Sequence, residues 1–227
     1  YFVGREEQLR LFRLSLDGLA AGSPGHLYVA GVHGTGKTSY LEKLLQLARE
    51  QTFVGCLATL DENRQAHDHI STILRSAISG VEAALRLKDP SGAPNLLRSW
   101  DNKTGMFRHI ASDKVVSDFI RDDFLQVQQI AKSFRLPGVT ICVDEGQRIN
   151  AHALSALKNS LQRMQSFLVV LSLRLVQDAG GAVAGGRTLL DEKARDAEGD
   201  FGASRFFVTG VPMGAFATDE EAQTCIT

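Results

Sequence analysis

Two patterns of hydrophobic and polar residues alternate along this chain. In the first, apolar residues follow one another without a break, as in Leu27–Ala30 and Val139–Val143. Such runs are typical of strands buried on both faces of a parallel sheet. In the second, apolar residues recur every three or four positions, which predicts helices with one buried face. Strands are predicted at 27–30, 53–58, 139–143, 167–173 and 206–211, and helices at 5–20, 41–48, 70–85, 113–134, 154–164 and 188–198.

This alternation of strands and helices predicts the fold class. Strands separated by helices describe an α/β fold, here a five-stranded parallel sheet sandwiched by helices. The connections between the strands are expected to be right-handed crossovers. Open α/β proteins bind their ligands at the carboxyl ends of the strands. We therefore expect the functional residues directly after strands, at one edge of the sheet.

The composition fits a globular domain and narrows the function classes. Of the 227 residues, 44% are hydrophobic and 22% are charged, which is ordinary for such a domain. A formal net charge of −1 gives no overall attraction to nucleic acid, although it leaves room for a local basic patch. No apolar run reaches the roughly 18 residues of a membrane span, and the sequence shows no signal-peptide pattern. The three cysteines are isolated, which favours reduced thiols and a cytoplasmic protein.

The segment Gly31–Thr38 carries the most specific motif. Its sequence, GVHGTGKT, matches the phosphate-binding pattern G-x-x-x-x-G-K-[ST] at every defined position. A predicted strand precedes it and a helical pattern follows, which is the context that the motif requires. Glycines let successive backbone N–H groups turn toward phosphate oxygens, and the next helix adds the positive end of its dipole. A chance match in a glycine-rich turn is the alternative, and the flanking strand and helix argue against it.

This loop predicts ATP or ADP with Mg²⁺ as the ligand. Lys37 is expected to reach the β- and γ-phosphates, and the hydroxyl of Thr38 is expected to bind Mg²⁺. His33 is interpreted as a tolerated variable position of the loop rather than as a catalyst. The other predicted nucleotide-binding residues of the segment are His33, Gly34, Thr35, Gly36 and Ser39.

A second motif follows the apolar run that begins at Val139. This run ends in Asp144 and Glu145, which places two carboxylates at the carboxyl edge of the sheet. Asp144 is predicted to hold Mg²⁺ beside Thr38, directly or through water, and Glu145 to polarise the attacking water. An acidic pair that opens an exposed loop is the alternative. The phosphate-binding motif upstream favours the catalytic interpretation.

Two further groups of residues have a functional and a structural interpretation. His67 and His69 stand near acidic residues, but alternate residues of a helix do not share a face, so a solvated helix start is favoured over a metal site. Trp100, with basic residues around it, is compatible with a small nucleic-acid contact surface. A covered loop stabilised by this tryptophan is the favoured explanation.

Several short segments together resemble the AAA+ ATPases. Phe2–Leu9 reads FVGREEQL upstream of the phosphate-binding loop, and Val143–Gln147 reads VDEGQ beyond it. The chain is most similar to the branch shared by origin-recognition-like proteins and the signal-transducing STAND ATPases. The resemblance implies an AAA+-like P-loop NTPase core in which Val3 and Gly4 contact the adenine. A hydrophobic staple at the start of the first helix is the alternative role of Val3.

The same resemblance implies two more catalytic residues. Ser172, in the strand after the Asp-Glu strand, corresponds to the sensor of the γ-phosphate, and Arg174 is its rival. Arg205, within Ser204–Phe206, resembles an arginine finger, which can raise the rate by on the order of 10³–10⁵ across a subunit boundary. A small residue at a strand end and an exposed arginine are the alternative explanations. Gly146 stands where relatives commonly carry alanine, a departure that we expect to leave the chemistry undisturbed.

The predicted organisation has three parts. Residues 1–25 form a lead-in helix with the adenine-contact segment, and residues 26–216 form the ATPase core. Within the core, residues 88–112 are interpreted as an insertion or a mobile loop. Residues 217–227 are interpreted as the start of a truncated helical lid, so the chain is expected to be a piece of a longer protein.

Together these features predict an ATPase domain that acts as a nucleotide-dependent oligomerisation switch in a larger signalling or defence-type protein. Hydrolysis is expected to be slow until a neighbouring subunit completes the site. The predicted partners are further copies of the chain, bound through the ATP site, and other domains of the same protein, with no membrane. The alternative is a DNA-acting loader or regulator of the origin-recognition or transposition type. A module that holds nucleotide without hydrolysis is a third class, and Glu145 argues against it.

Overall fold

A five-stranded parallel sheet forms the centre of the fold, with helices on both faces. The computed structural model describes residues 5–62, 66–90, 95–96, 98–100, 113–175 and 206–213. The predicted fold class is thereby confirmed. The helices are α1 (Glu6–Ala20), α2 (Lys37–Glu50), α3 (Ala66–Lys88), α4 (Asp113–Ser133) and α5 (Ala151–Leu161), and the strands are β1 (His26–Gly31), β2 (Val54–Thr59), β3 (Val139–Asp144), β4 (Phe167–Arg174) and β5 (Phe207–Pro212).

The order of the strands across the sheet is β2-β3-β4-β1-β5, and all neighbours are parallel. At the ends of β1 and β4, Gly31 lies opposite Arg174. In β3 and β4, Val143 lies opposite Leu171. Because all strands run the same way, the residues that follow β1 and β3 meet at one edge, with only β4 between them.

Two hydrophobic layers hold the helices on the sheet. One layer joins α1 and α2 to the sheet, and the other joins α3, α4 and α5 to its opposite face. Successive residues of β4 alternate between the layers: Leu168 and Val170 pack toward α1 and α2, whereas Val169 and Leu171 pack toward α3–α5. This burial on both faces explains why the strand sequences are continuously apolar rather than alternating.

Local interactions fix where individual helices begin and how they pack. Glu6 and Glu7 occupy the first turn of α1, where the helix dipole favours acidic groups. Asn150 caps α5, since its side-chain oxygen accepts a hydrogen bond of 2.8 Å from the backbone N–H of Ala153. The buried hydroxyl of Tyr40 in α2 donates to the carbonyl of Gln8 in α1 and so joins the two helices.

The structure adds detail to the predicted loop at 88–112. Residues 98–100 are helical, and Trp100 packs in the core rather than on the surface. Its indole N–H donates to the carboxylate of Asp123 in α4 over 3.1 Å. This burial agrees with a covered segment and leaves no exposed indole for a nucleic-acid surface. The predicted helix at 188–198 and the predicted start of a lid at 217–227 lie outside the described residues.

The sequence predicts reduced cysteines and no membrane span. Cys56 in β2 and Cys142 in β3 are buried free thiols, as the pattern predicted. Burial raises the pKa of Cys56 to about 12 and raises that of Cys142 as well, so both thiols stay protonated. Across the part of the chain that the structure describes, no helix combines the length and apolar character needed to cross a membrane.

Candidate active site

The loop between β1 and α2 has a backbone suited to an anion. Gly34 and Gly36 have φ of +80° and +75°, and a Cβ atom at either position would meet no atom within 4 Å. The space beside these glycines is therefore open, and their conformation lets consecutive N–H groups converge on one ligand. Gly31 has the opposite surroundings, because a Cβ there would lie 2.6 Å from both the carbonyl of Met213 and the hydroxyl of Thr35.

Lys37 holds its ammonium group against this loop. Its Nζ donates hydrogen bonds to the carbonyls of Gly31 and Val32 over 2.9 and 2.7 Å. Partial burial is the main cause that lowers the pKa of Lys37, and the nearby carboxylates of Asp144 and Glu145 oppose that shift. The lysine thus stands where the phosphates of a nucleotide are expected, with two carboxylates close enough to influence it.

Thr38 and Asp144 come together although 106 positions separate them in the chain. The hydroxyl of Thr38 donates to Oδ2 of Asp144 over 2.8 Å. The other oxygen, Oδ1, accepts from the backbone N–H of Glu145 over 2.9 Å. A hydroxyl and a carboxylate are hard oxygen ligands that suit Mg²⁺.

The described residues contain no cluster of three or more His, Cys, Asp or Glu side chains that could hold a metal by itself. Proteins usually bind Mg²⁺ through one or two carboxylates together with the phosphates of the substrate. Thr38 and Asp144 are accordingly the residues that would hold the ion. His69 in α3 is buried, with Nε2 3.2 Å from the carbonyl of Asp61, so the expectation of a solvated helix start is wrong for this residue.

Glu145 follows β3 directly and has an unusual backbone conformation. Its φ and ψ are 56° and 35°, the left-handed region that side chains rarely adopt. The Oε2 atom accepts a hydrogen bond of 2.6 Å from Nε2 of Gln147 and lies 3.3 Å from Nε of Arg148. Strained residues of this kind often occur at functional sites.

Gln147 and Arg148 have no role in the sequence-based analysis, yet both contact the candidate catalytic carboxylate. They lie in a 3₁₀ turn, Gly146–Arg148, directly after Glu145. The sequence signal that could have found them is their position two and three residues after Glu145: Gln147 ends the segment that resembles the AAA+ motif, and Arg148 follows it directly. Their contacts with other strands could not be read from that position.

Gly146, the first residue of the turn, lies close to β4. A Cβ at this position would be 2.6 Å from the carbonyl oxygen of Ser172 and would also overlap the side chain of Leu171. The glycine therefore lets the turn approach β4 more closely than an alanine would. The departure from the family pattern noted in the sequence has a packing reason here.

The two sensor candidates occupy different places in β4. Ser172 lies two residues before the end of the strand, opposite Val29, and is only 1% exposed. Its hydroxyl has no hydrogen-bond partner among the described residues. Arg174 ends the strand opposite Gly31, and its positive charge contributes to the lowered pKa of Lys37. Arg174 thus stands at the edge that carries the phosphate-binding loop.

The remaining predicted site residues are placed as follows. His33 and Ser39 are exposed, whereas Thr35 is buried and its hydroxyl donates to the carbonyl of Val32 over 3.0 Å. The predicted adenine contacts and the predicted arginine finger lie outside the described residues: Val3, Gly4 and Arg205.

Comparison with models of known families shows the family to which the chain belongs. Residues 1–176 match the family described as AAA ATPase domain. Comparison with curated protein sequences finds no match. Among solved structures, a chain in the structure of Drosophila ORC bound to AT-rich DNA and Cdc6 matches with 13% identity and a TM-score of 0.49. The match covers 96% of the present chain and 58% of that chain, so the present chain spans little more than half its length.

Proposed function

The chain belongs to the AAA ATPase domain family, and we propose that it binds and hydrolyses ATP as a nucleotide-dependent oligomerisation switch within a larger protein. The observation that carries the proposal is the meeting of two distant motifs. Thr38 of the phosphate-binding loop and Asp144 at the end of β3 share a hydrogen bond of 2.8 Å, with Lys37 and Glu145 beside them.

Each of these residues has a role that follows from its chemistry. The loop amides and the ammonium group of Lys37 bind the phosphates, and the amino end of α2 adds its dipole. Thr38 and Asp144 would hold Mg²⁺, which neutralises charge on the phosphates when bound. The carboxylate of Glu145 orients the attacking water and accepts its proton. Arg174 is our preferred sensor, since it ends β4 beside the phosphate-binding loop and Ser172 is enclosed.

The oligomerisation part of the proposal rests on what this site needs for fast hydrolysis. Phosphoryl transfer is catalysed chiefly by positioning and by charge stabilisation, and an arginine from a neighbouring subunit commonly supplies part of that charge. We propose Arg205 for this role, from its sequence context. ATP would then favour assembly, and hydrolysis would reset it.

A steady-state ATPase assay tests this proposal. We expect slow hydrolysis whose rate per molecule rises with protein concentration, because neighbouring copies complete the site. Glu145→Gln should lower kcat by on the order of 10²-fold or more, since a general base is lost. Glu42→Gln is the matched control, since it makes the same change at an exposed position of α2.

Two results would contradict the proposal. The first is a rate that Glu145→Gln leaves unchanged, which would remove Glu145 from catalysis. The second is a rate per molecule that does not depend on protein concentration, which would remove the need for a neighbouring copy.

A DNA-acting role is the alternative function. It predicts that duplex DNA stimulates hydrolysis and that this stimulation weakens as the salt concentration rises, because phosphate contacts release counterions.

A further inference from the structure

We infer that Gln147 and Arg148 are positioning residues for Glu145, which tie its carboxylate to the two strands on either side of β3. The inference rests on the proposed function, because it concerns the group that would activate the hydrolytic water. It follows from the strand order: β3 lies between β2 and β4, so the turn after β3 can contact the ends of both neighbours.

Gln147 makes the connection to β4. Its Nε2 donates to Oε2 of Glu145 over 2.6 Å, and its Oε1 accepts from the backbone N–H of Arg174 over 2.9 Å. Both ends of one amide are thus engaged, one on the candidate base and the other on the last residue of β4. A displacement of the end of β4 would be passed to the carboxylate through a single side chain.

Arg148 makes the connection to the β2 side. Its guanidinium donates to the carbonyl of Leu60, just after β2, over 3.1 Å, and lies 3.5 Å from the carboxylate of Glu62. The same guanidinium has Nε 3.3 Å from Oε2 of Glu145. The charge of Arg148 therefore stands between two carboxylates, and its planar fork fixes the direction from which it reaches Glu145.

These contacts have a geometric consequence for the base. Both reach the same oxygen of Glu145, Oε2, and in the described part of the chain Oε1 has no hydrogen-bond donor. A carboxylate held at one oxygen presents the other in a fixed place, which is what proton transfer from a positioned water requires. The close approach of Gly146 to Ser172 keeps the turn near β4 and so keeps Gln147 within reach of Arg174.

The test separates positioning from folding and from nucleotide binding. Gln147→Ala should lower kcat by about ten- to a hundredfold, since small displacements of a catalytic group are costly. Nucleotide affinity, measured by titration with a fluorescent ATP analogue, and the melting temperature should stay unchanged. Gln46→Ala on the exposed side of α2 is the matched control.

A second variant, Gln147→Glu, tests the same inference if Gln147→Ala folds poorly. Gln147→Glu retains an oxygen that can accept from the N–H of Arg174 but places a second carboxylate against Glu145. We expect it to lower kcat at least as much as Gln147→Ala, with nucleotide affinity retained. Unchanged kcat in both variants would overturn the inference, and so would losses of affinity and melting temperature that parallel the loss of kcat.

A double-mutant cycle with Glu145→Gln distinguishes this inference from the proposed function. Once the base is absent, Gln147→Ala should cause no further loss, because its effect acts through Glu145. If Glu145→Gln lowers kcat but leaves a measurable rate, and Gln147→Ala lowers that residual rate by its full factor, the inference fails and the proposed function stands. If Glu145→Gln does not lower hydrolysis, the catalytic role of Glu145 in the proposed function fails.

Discussion

At the scale of single residues, the carboxyl edge of the sheet brings cationic groups next to several hard oxygen atoms. Lys37 contributes an ammonium group, Thr38 a hydroxyl and Asp144 a carboxylate. The hydroxyl of Thr38 donates a hydrogen bond to the carboxylate of Asp144. Both oxygens of Asp144 are engaged, since the other one accepts a hydrogen bond from the backbone N–H of Glu145. These hydrogen bonds orient each group, and such orientation lowers the cost of assembling a catalytic site.

Thr38→Ala tests whether this pair serves Mg²⁺. The change removes one oxygen and leaves Oδ2 of Asp144 without its donor. We expect ATP affinity in the presence of Mg²⁺ to fall by about tenfold, or about 1.4 kcal/mol, while affinity with Mg²⁺ chelated stays near that of the wild type. Titration with and without Mg²⁺ measures both.

Thr38→Ser retains the hydroxyl and is the control that should behave as the wild type. Thr72→Ala makes the alanine change at an exposed threonine of α3. A Thr38→Ala protein that gains as much affinity from Mg²⁺ as the wild type would show that this hydroxyl is not a metal ligand.

Gly146→Ala tests the close packing of the turn against β4. Because a Cβ would come within 2.6 Å of the carbonyl of Ser172, the turn must shift. We expect a loss of about 1–3 kcal/mol in the free energy of unfolding, as for other overpacked sites. Urea denaturation measures it. Gly25→Ala, where a Cβ would meet no atom within 4 Å, should change stability little, and equal effects of the two variants would contradict the packing argument.

Some residues of the site could be assigned a role from the sequence, and others could not. Lys37, Thr38 and the Asp-Glu pair belong to contiguous motifs whose chemistry fixes the residue types, so their assignment could be made from the chain alone. Gln147 and Arg148 could not be assigned, because their roles depend on contacts with Arg174 and Leu60, far away in sequence. Only the order of the strands brings those partners together.

At the scale of elements, the hydrophobic pattern predicted most helices and strands of the described chain within a few residues. It could not predict the strand order, because parallel neighbours such as β1 and β4 are distant in sequence. It also missed that residues 98–100 are helical, since the anchor of that segment is a tertiary contact between Trp100 and Asp123. The pairing of strands and the position of the segment around Trp100 depend on tertiary contacts rather than on the local preference of the sequence for helix or strand.

The contact between Trp100 and α4 gives a prediction for this segment. Asp123→Ala would leave the buried indole N–H without this acceptor, at a cost of about 1–3 kcal/mol. Because the chain has one tryptophan, its fluorescence reports on this place alone, and we expect a red shift together with lower stability. Asp122→Ala, at an exposed position of the same helix, is the control, and an unchanged spectrum in Asp123→Ala would contradict the anchoring role.

His26 at the start of β1 gives a pH prediction. Its Nδ1 accepts from the N–H of Val169 in β4 over 3.1 Å, and its ring stacks on Phe206. Burial lowers the pKa of His26 from 6.5 to about 4, so the unfolded chain binds this proton more readily than the folded one. The free energy of unfolding is therefore at its full value, as far as His26 is concerned, above pH 6.5. It decreases as the pH falls toward 4, because the unfolded chain then takes up a proton that the folded chain does not.

Urea unfolding between these pH values measures the effect of His26. We expect the wild type to lose up to about 3 kcal/mol more than His26→Asn, in which the amide oxygen can accept from Val169 but does not titrate. His152→Asn, at an exposed position of α5, should follow the wild type. Identical pH dependence in the wild type and His26→Asn would show that His26 is not the titrating group.

At the scale of the whole molecule, the fold separates its stabilising and its functional parts. The two hydrophobic layers lie on the faces of the sheet, while the polar network of the site lies along one edge. The exposed phosphate-binding loop and the turn after β3 share that edge, where we propose that a nucleotide binds and that a second copy of the chain docks. Nucleotide-dependent assembly is the central claim that follows for the protein as a whole.

The most direct test of that claim is the mass of the protein in solution, measured by light scattering with Mg²⁺ and either ADP or a non-hydrolysable ATP analogue. We expect assembly with the analogue alone, none with ADP, and none with either nucleotide for Lys37→Ala, which removes the ammonium group that we propose binds the phosphates. Lys43→Ala, at a partly exposed lysine of α2, should assemble as the wild type does. Assembly only after addition of duplex DNA would favour the DNA-acting alternative. ATP-dependent assembly of Lys37→Ala, or equal masses with both nucleotides, would contradict the account.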